Sequence, residues 1–199
     1  MRQDFSKLTV GSLALQGDFE RHVYQLHLLG VKAIEIRTPE QLKKTDALII
    51  PGGESTTIDI LLDRFNLRDS LLEYGKKKPV WGTCAGMIMV AKEIDDNQAG
   101  VKPLELININ VVRNGYGRQL YSFEEKLDAR LGEKEVRLNA AFIRAPRITR
   151  MGEQVTPLAV YNDSPVLVEQ DNILASSFHT ELDDDTTLVA YFLQKFLLS

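Results

Sequence analysis

The chain has 199 residues, 44% of them hydrophobic and 26% charged, with a formal net charge of −4. That balance is ordinary for a soluble globular protein, and the acidic sign leaves no basic footprint for nucleic acid. No apolar run approaches the ~20 residues of a membrane span. The single cysteine cannot form an internal disulfide, which fits a reducing cytoplasm. The segment before the first predicted strand, Met1 to Lys7, lacks the long apolar core of a signal peptide.

In chain order, Leu8 to Leu15 predicts a buried strand that ends at Gln16-Gly17. Asp18 is placed to cap a helix whose apolar positions Phe19, Val23, Leu26 and Leu29 recur at helical spacing, and Gly30 ends it. Val31 to Ile36 is a second strand, and Thr38-Pro39 opens a short helix. Ala47 to Ile50 is a continuous apolar strand of the kind buried on both faces of a parallel sheet. It runs into Pro51-Gly52-Gly53-Glu54-Ser55, with Ser55 as the expected cap of a helix over Thr56 to Phe65. Leu67 to Lys77 reads as another helix, Val80-Trp81 as a short strand, and Met87 to Lys92 as a helix.

The second half is less regular. Strands are expected at Leu106 to Val112, Leu120 to Phe123, Val136 to Arg144, Val155 to Tyr161, Pro165 to Glu169 and Ile173 to Phe178. Asn114 to Gly117 is a turn-rich loop. Asp185 is placed to cap a last helix with Leu188, Val189, Phe192, Phe196 and Leu197 on its apolar face. Strand and helix alternate through the first half, which predicts an α/β fold: three layers, α/β/α, with a doubly wound, mostly parallel sheet, flavodoxin-like. No linker-like composition divides it, so residues 1–199 are expected to form one domain.

The chemistry gathers at strand ends. Gly82-Thr83-Cys84-Ala85-Gly86 puts the cysteine on a strand-to-helix turn between glycines two residues before and after it. This is the cysteine version of a nucleophile elbow. Bulk at either glycine would clash in so sharp a turn, and the following helix aims free N–H groups at the sulfur, favouring thiolate and offering donors to an oxyanion. A lone cysteine otherwise reads as a small buried hydrophobe. Of three histidines, His22 and His27 read as ordinary helix residues that share no face. His179 ends an apolar strand, with Glu181 two residues on and pointing the same way in extended chain, where a carboxylate can orient an imidazole. The bland alternative is a strand-end histidine beside a solvated acid.

Gly52-Gly53 can offer backbone N–H groups to an anion. It is a poor phosphate cradle, because neither the Walker lysine nor the dinucleotide glycine spacing is present. Asp183-Asp184-Asp185 reads as an acidic helix N-terminus rather than a metal site. Arg144, Arg147 and Arg150 form a basic cluster that suits an anion, a partner or a solvated loop. Right-handed crossovers place Gln16-Gly17, Gly52 to Ser55 and Gly82 to Gly86 on one rim, outside the C-terminal ends of parallel strands.

Together Gly82 to Gly86, Pro51 to Ser55 and Phe178-His179-Thr180-Glu181 resemble a class I, triad-type glutamine amidotransferase. Leu15-Gln16-Gly17, Pro51 to Thr57, Arg113-Asn114 with Gly117-Arg118-Gln119, Phe142 to Pro146 and Ala175 to Glu181 look, in this order, like the family of glutaminase subunits of pyridoxal 5′-phosphate synthase. The match runs from about residue 8 to residue 198. The resemblance implies Cys84 as nucleophile with His179 and Glu181 as relay partners, and Gly53, Glu54, Ser55, Arg113, Ile143 and Arg144 as glutamine-binding positions. It implies an oxyanion hole at Gly53 and Ala85, with Gln16 nearby. It implies L-glutamine as substrate, no cofactor and no metal. It also implies a hetero-oligomer with a separate synthase subunit, which receives the ammonia and without which the glutaminase is poorly active. Two alternatives stay open at this point: a glutaminase serving another pathway such as histidine biosynthesis, and a non-enzymatic flavodoxin-like binding module.

Overall fold

The computed structural model describes residues 4–115 and 122–198. The first half alternates as expected: β1 (Thr9–Leu13), α1 (Phe19–Leu28), β2 (Lys32–Ile36), α2 (Pro39–Leu42), β3 (Ala47–Ile50), α3 (Ser55–Arg64), α4 (Arg68–Gly75), β4 (Val80–Thr83) and α5 (Ala85–Val90). Then follow β5 (Ala91–Ile94), β6 (Ile107–Val112), β7 (Ser122–Leu131), β8 (Lys134–Ile143), β9 (Arg147–Met151), β10 (Thr156–Tyr161), β11 (Ser164–Gln170), β12 (Ile173–Ser176) and α6 (Thr187–Leu197).

Among the described residues the strands form a nine-stranded sheet, in the order β2-β1-β3-β4-β12-β11-β10-β7-β8, and a small sheet β5-β6-β9. The large sheet is mixed. Strands β2, β1, β3, β4 and β12 run parallel, and β12, β11, β10, β7 and β8 continue it as antiparallel pairs. The central strand β3 is buried on both faces and is apolar without interruption, whereas the edge strand β2 carries an exposed Lys32 and a half-buried Glu35. In β3, Leu48 and Ile50 enter the core under α3, α4 and α5, while Ala47 and Ile49 enter the core under α1 and α6. In β4, Val80 faces the first of these cores and Trp81 the second.

Several boundaries differ from expectation for identifiable reasons. Thr38 caps α2 with a full capping box, Gln41 reaching back to the Thr38 backbone. Asp18, by contrast, occupies the cap position of α1 but its side chain accepts no backbone hydrogen bond. Glu54, not Ser55, is the cap residue of α3, and Ser55 is the first residue of that helix. Asp185 lies one residue ahead of the α6 cap, Thr186, yet its carboxylate still accepts the Thr187 N–H at 2.9 Å. Helix α5 stops at Val90, because Ala91 leaves it directly for β5 in the small sheet. The expected strand at Leu120 to Phe123 lies partly outside the described residues, and β7 continues to Leu131. Arg147 and Arg150 belong to a strand, β9, rather than a solvated loop. The loop expected at Tyr116-Gly117 and the stretch Gly117-Arg118-Gln119 lie outside the described residues.

Candidate active site

The parallel strands deliver three loops to one rim. The loop after β1 and the loop after β3 touch directly: the Glu54 N–H donates to Gln16 Oε1 at 2.7 Å and the Asp18 N–H to the Gly52 carbonyl at 3.2 Å. The third is the turn from β4 into α5. Cys84 sits there with φ 52° and ψ −105°, a conformation that side-chain-bearing residues rarely adopt. The residues two before and two after it must be glycine for steric reasons. A Cβ on Gly82 would run into the Gly86 carbonyl, and a Cβ on Gly86 into the Ile50 carbonyl of β3. The Cys84 N–H is anchored to the Ser176 carbonyl of β12 at 2.8 Å, so the strained residue is tied to the strand that leads to the histidine. Cys84 is buried and its thiol is free.

His179 is held by backbone rather than by a long strand. Its N–H and C=O exchange hydrogen bonds with Ala141 of β8 at 2.8 and 3.0 Å. Phe178 next to it packs on Phe142, with ring centroids 5.6 Å apart. The antiparallel half of the sheet thus fixes the imidazole that faces the parallel half. His179 Nδ1 lies 2.6 Å from Glu181 Oε1, and Glu181 Oε2 accepts the Thr180 N–H at 3.0 Å. Burial opposes charge on His179, but hydrogen bonds to Cys84 and to Glu181, and their negative charge, more than offset it and raise its pKa to about 10. Burial likewise opposes charge on Glu181. The imidazoles of His22 and His179 and the hydrogen bonds to its oxygens win there, lowering its pKa to about 2. Gly52 lies against the same ring: a Cβ there would collide with His179 Cε1.

The other sequence-identified positions lie on the loops and element ends around this rim or pack against them. The Ile143 carbonyl lies 3.8 Å from Cys84 Sγ, close enough for an S–H···O contact. Arg144 adopts a positive φ of 46° and pairs with Glu54 at 3.1 Å, so the end of β8 is tied to the loop after β3. Ser55 is buried at the start of α3, and Arg113 reaches Thr56 Oγ1 of that helix at 3.5 Å. Gly53 stacks against the Gln16 side chain, which leaves no room for a Cβ there. Ala85 opens α5 directly after the cysteine.

Sequence reading misplaced one helix residue. His22 is not an ordinary helix histidine: it is fully buried, with Nε2 3.5 Å from Glu181 Oε1. His27 on the same helix is exposed. Residues Arg21 and Gln25 hold the same segment. Arg21 donates to the Glu181 and Leu182 carbonyls at 2.9 and 2.7 Å, and Gln25 to those of Thr180 and Asp185 at 2.9 and 2.8 Å. The signal available in the sequence was the stripe His22, Gln25, Leu26, which mixes polar residues into the buried face of a helix.

The chain is similar to known proteins over most of its length. The model of a family described as the SNO glutamine amidotransferase family matches residues 12–198. The pyridoxal 5′-phosphate synthase subunit PdxT of Pseudothermotoga lettingae is 48% identical over 188 residues, covering 94% of this chain and 95% of the relative. The protein of the same name from Thermosipho africanus is 46% identical over 187 residues, covering 94% and 97%. A crystal structure of a glutamine amidotransferase superposes with a TM-score of 0.86 at 45% identity, over 93% of this chain and 97% of that one. A putative GMP synthase protein from Thermoplasma acidophilum shares the fold alone, with a TM-score of 0.69 at 18% identity over 94% and 92% of the two chains.

Proposed function

Because the chain belongs to the SNO glutamine amidotransferase family, we propose that it hydrolyses L-glutamine to L-glutamate and ammonia through Cys84, His179 and Glu181. The observation that carries this reading is Cys84 on its strained turn, with its N–H tied to the strand that leads to His179, and His179 Nδ1 lying 2.6 Å from Glu181 Oε1. Cys84, a thiolate beside protonated His179, attacks the side-chain amide carbon, forming a C–S bond and moving an electron pair onto the carbonyl oxygen. Backbone N–H groups at Gly53 and Ala85 receive that oxyanion, with Gln16 holding the loop beside them. When the intermediate collapses, the C–N bond breaks and His179 protonates the departing ammonia. Water then loses a proton to His179 and attacks the thioester, and the sulfur leaves with glutamate released. Glu181 orients and steadies the imidazolium without itself transferring a proton.

Glu54 and Arg144, an acid and a base paired at 3.1 Å, suit the α-amino and α-carboxylate groups of glutamine. Gly53, Ser55, Arg113 and Ile143 complete the pocket. The likeness to PdxT subunits supports a second part of the reading. Residues 1–199 act as one glutaminase domain that docks in the cytoplasm on a separate synthase subunit, the acceptor of the ammonia in pyridoxal 5′-phosphate formation. The test is glutamate release from glutamine by the full chain, with and without a purified synthase subunit, alongside Cys84→Ala. A wild-type chain that releases no glutamate in either setting overturns the reading, as does a Cys84→Ala chain that keeps its rate.

A further inference from the structure

His22 is a buried ionisable group that the proposed chemistry does not use. It has no exposed surface, and neither ring nitrogen has a hydrogen-bond partner. Such groups are rare in folded proteins and call for an explanation. Its surroundings fix the ring closely. Trp81 meets it edge-on at 5.5 Å and 75°, and Trp81 is itself held by an Nε1–H bond to Ser176 Oγ at 3.1 Å. With its plane set in this way, Nε2 lies 3.5 Å from Glu181 Oε1. That oxygen already takes His179 Nδ1, and Oε2 takes the Thr180 N–H. An ionised carboxylate has about four lone-pair sites, so Oε1 has one left, and His22 faces it.

We propose that His22 is a positioning residue for the relay: as a neutral imidazole with its proton on Nε2, it holds Glu181 Oε1 in the orientation that receives His179 Nδ1–H. This rests on the glutaminase reading above. Burial pushes the His22 pKa down, which keeps the ring neutral beside the carboxylate. The charged and titratable groups facing this cluster are Asp18 at the cap of α1, Arg21 in its first turn, His179 after β12, and Cys84 at the elbow beyond it. Arg21 bonds the Glu181 carbonyl rather than its carboxylate, so among these groups His22 alone offers a second side-chain donor to Oε1. A carboxylate that has lost this donor swings more freely about its own side-chain torsions, and the imidazolium formed during thioester chemistry is held less well. Nothing that touches glutamine changes. The loss therefore falls on kcat and not on KM.

The test compares His22→Leu, which keeps the volume but no donor, with His22→Gln, whose amide can donate from a similar place. Steady-state glutaminase kinetics of the full chain with the synthase subunit should show kcat down about tenfold in His22→Leu at nearly unchanged KM, and within about threefold of wild type in His22→Gln. Ring-nitrogen NMR of the histidine-labelled full chain supplies a readout that packing alone does not move, and three histidines keep it assignable. In the wild type, His22 should stay neutral and Nε2-protonated from about pH 6 to about pH 9. The downfield Nδ1 proton of His179 should be kept in His22→Gln and lost or broadened in His22→Leu. Equal losses in both variants, full kcat in His22→Leu, or a His22 ring protonated on Nδ1 would each overturn the proposal. If the wild type releases no glutamate, the glutaminase reading fails by itself. The His179 proton in the variants then decides whether His22 holds Glu181. If His22→Leu does not fold, the wild-type tautomer remains the deciding measurement.

Discussion

At the scale of the residue, the candidate site places charge where burial alone would forbid it. Glu181 has no exposed surface, yet its partners keep it ionised far below neutral pH. His179 keeps its proton far above it, because the thiolate on one side and the carboxylate on the other outweigh its burial. The sign of the pH dependence follows. The proposed relay needs a proton on His179 for the departing ammonia, so kcat/KM should fall as pH rises through about 10. In Glu181→Gln a carboxylate that raises the His179 pKa is gone, so that alkaline limb should move to lower pH. A pH–rate series on the two proteins checks this, and an unmoved limb would separate Glu181 from the relay. Cys84→Ala and Cys84→Ser should both be nearly dead, since a hydroxyl is not ionised at neutral pH as an activated thiol is. His179→Asn should fall almost as far. Because members of one unit act non-additively, adding Glu181→Gln to it should cost little more. Steady-state rates for the single and double variants measure this directly.

At the scale of the element, the elbow is held open by what is absent. Gly86 lies against the β3 backbone, where a Cβ would strike the Ile50 carbonyl, and backbone cannot rotate away as a side chain can. Gly86→Ala should therefore destabilise the fold by about 3 kcal/mol, at the upper end of overpacking costs. Urea denaturation at neutral pH reads it. Gly100→Ala is a useful contrast, because a Cβ there meets nothing within 4 Å and the strain comes only from its φ of 66°. Helix α1 contributes differently. Gln25 bonds the Thr180 and Asp185 carbonyls from a buried position, clamping the two sides of Glu181 to the helix. Gln25→Leu leaves those carbonyls without that donor and should cost about 1–3 kcal/mol. It should also reduce kcat, because the clamped segment carries the relay. A Gln25→Leu chain with wild-type stability and rate would show that α1 is a bystander.

At the scale of the whole molecule, the two halves of the sheet have separate tasks. The parallel half builds the rim on which Gln16, Gly53 and Cys84 converge, and the antiparallel half brings in β8, whose Ala141 pins His179 and whose Ile143 carbonyl faces the thiol. No described helix is long and apolar enough to cross a membrane. If the Gly52-Gly53 backbone completes the oxyanion hole only when docking orders it, a synthase subunit should raise kcat more than it lowers KM. Gln16 Oε1 holds the Glu54 N–H at that loop, so Gln16→Ala should blunt the activation. Kinetics with and without the partner test this, and an isolated chain already at the full rate would end the gating idea while sparing the triad.

Much of this protein could be read from residue order alone. Alternation of short apolar strands with amphipathic helices specifies the parallel half, since each such strand must be covered on both faces. Glycines two residues either side of Cys84 specify the elbow, because the steric demand is local. The pairing of His179 with Glu181 is two residues long and needs no distant information. In the second half the signal was present but weaker: Leu127, Ala129 and Leu131 alternate with Asp128 and Arg130, and Gly132 turns the chain into β8. Strand order is another matter. Nothing in the order of residues says that β12 inserts beside β4, or that β8 reaches across to pin His179, because those pairings join segments far apart in the chain and are settled by the packing of both sheet faces at once. His22 shows the same limit. Its identity and its helix were legible, but only the docking of α1 on the segment after β12 put its ring against Glu181, where a buried polar atom either finds a partner or costs the fold its stability.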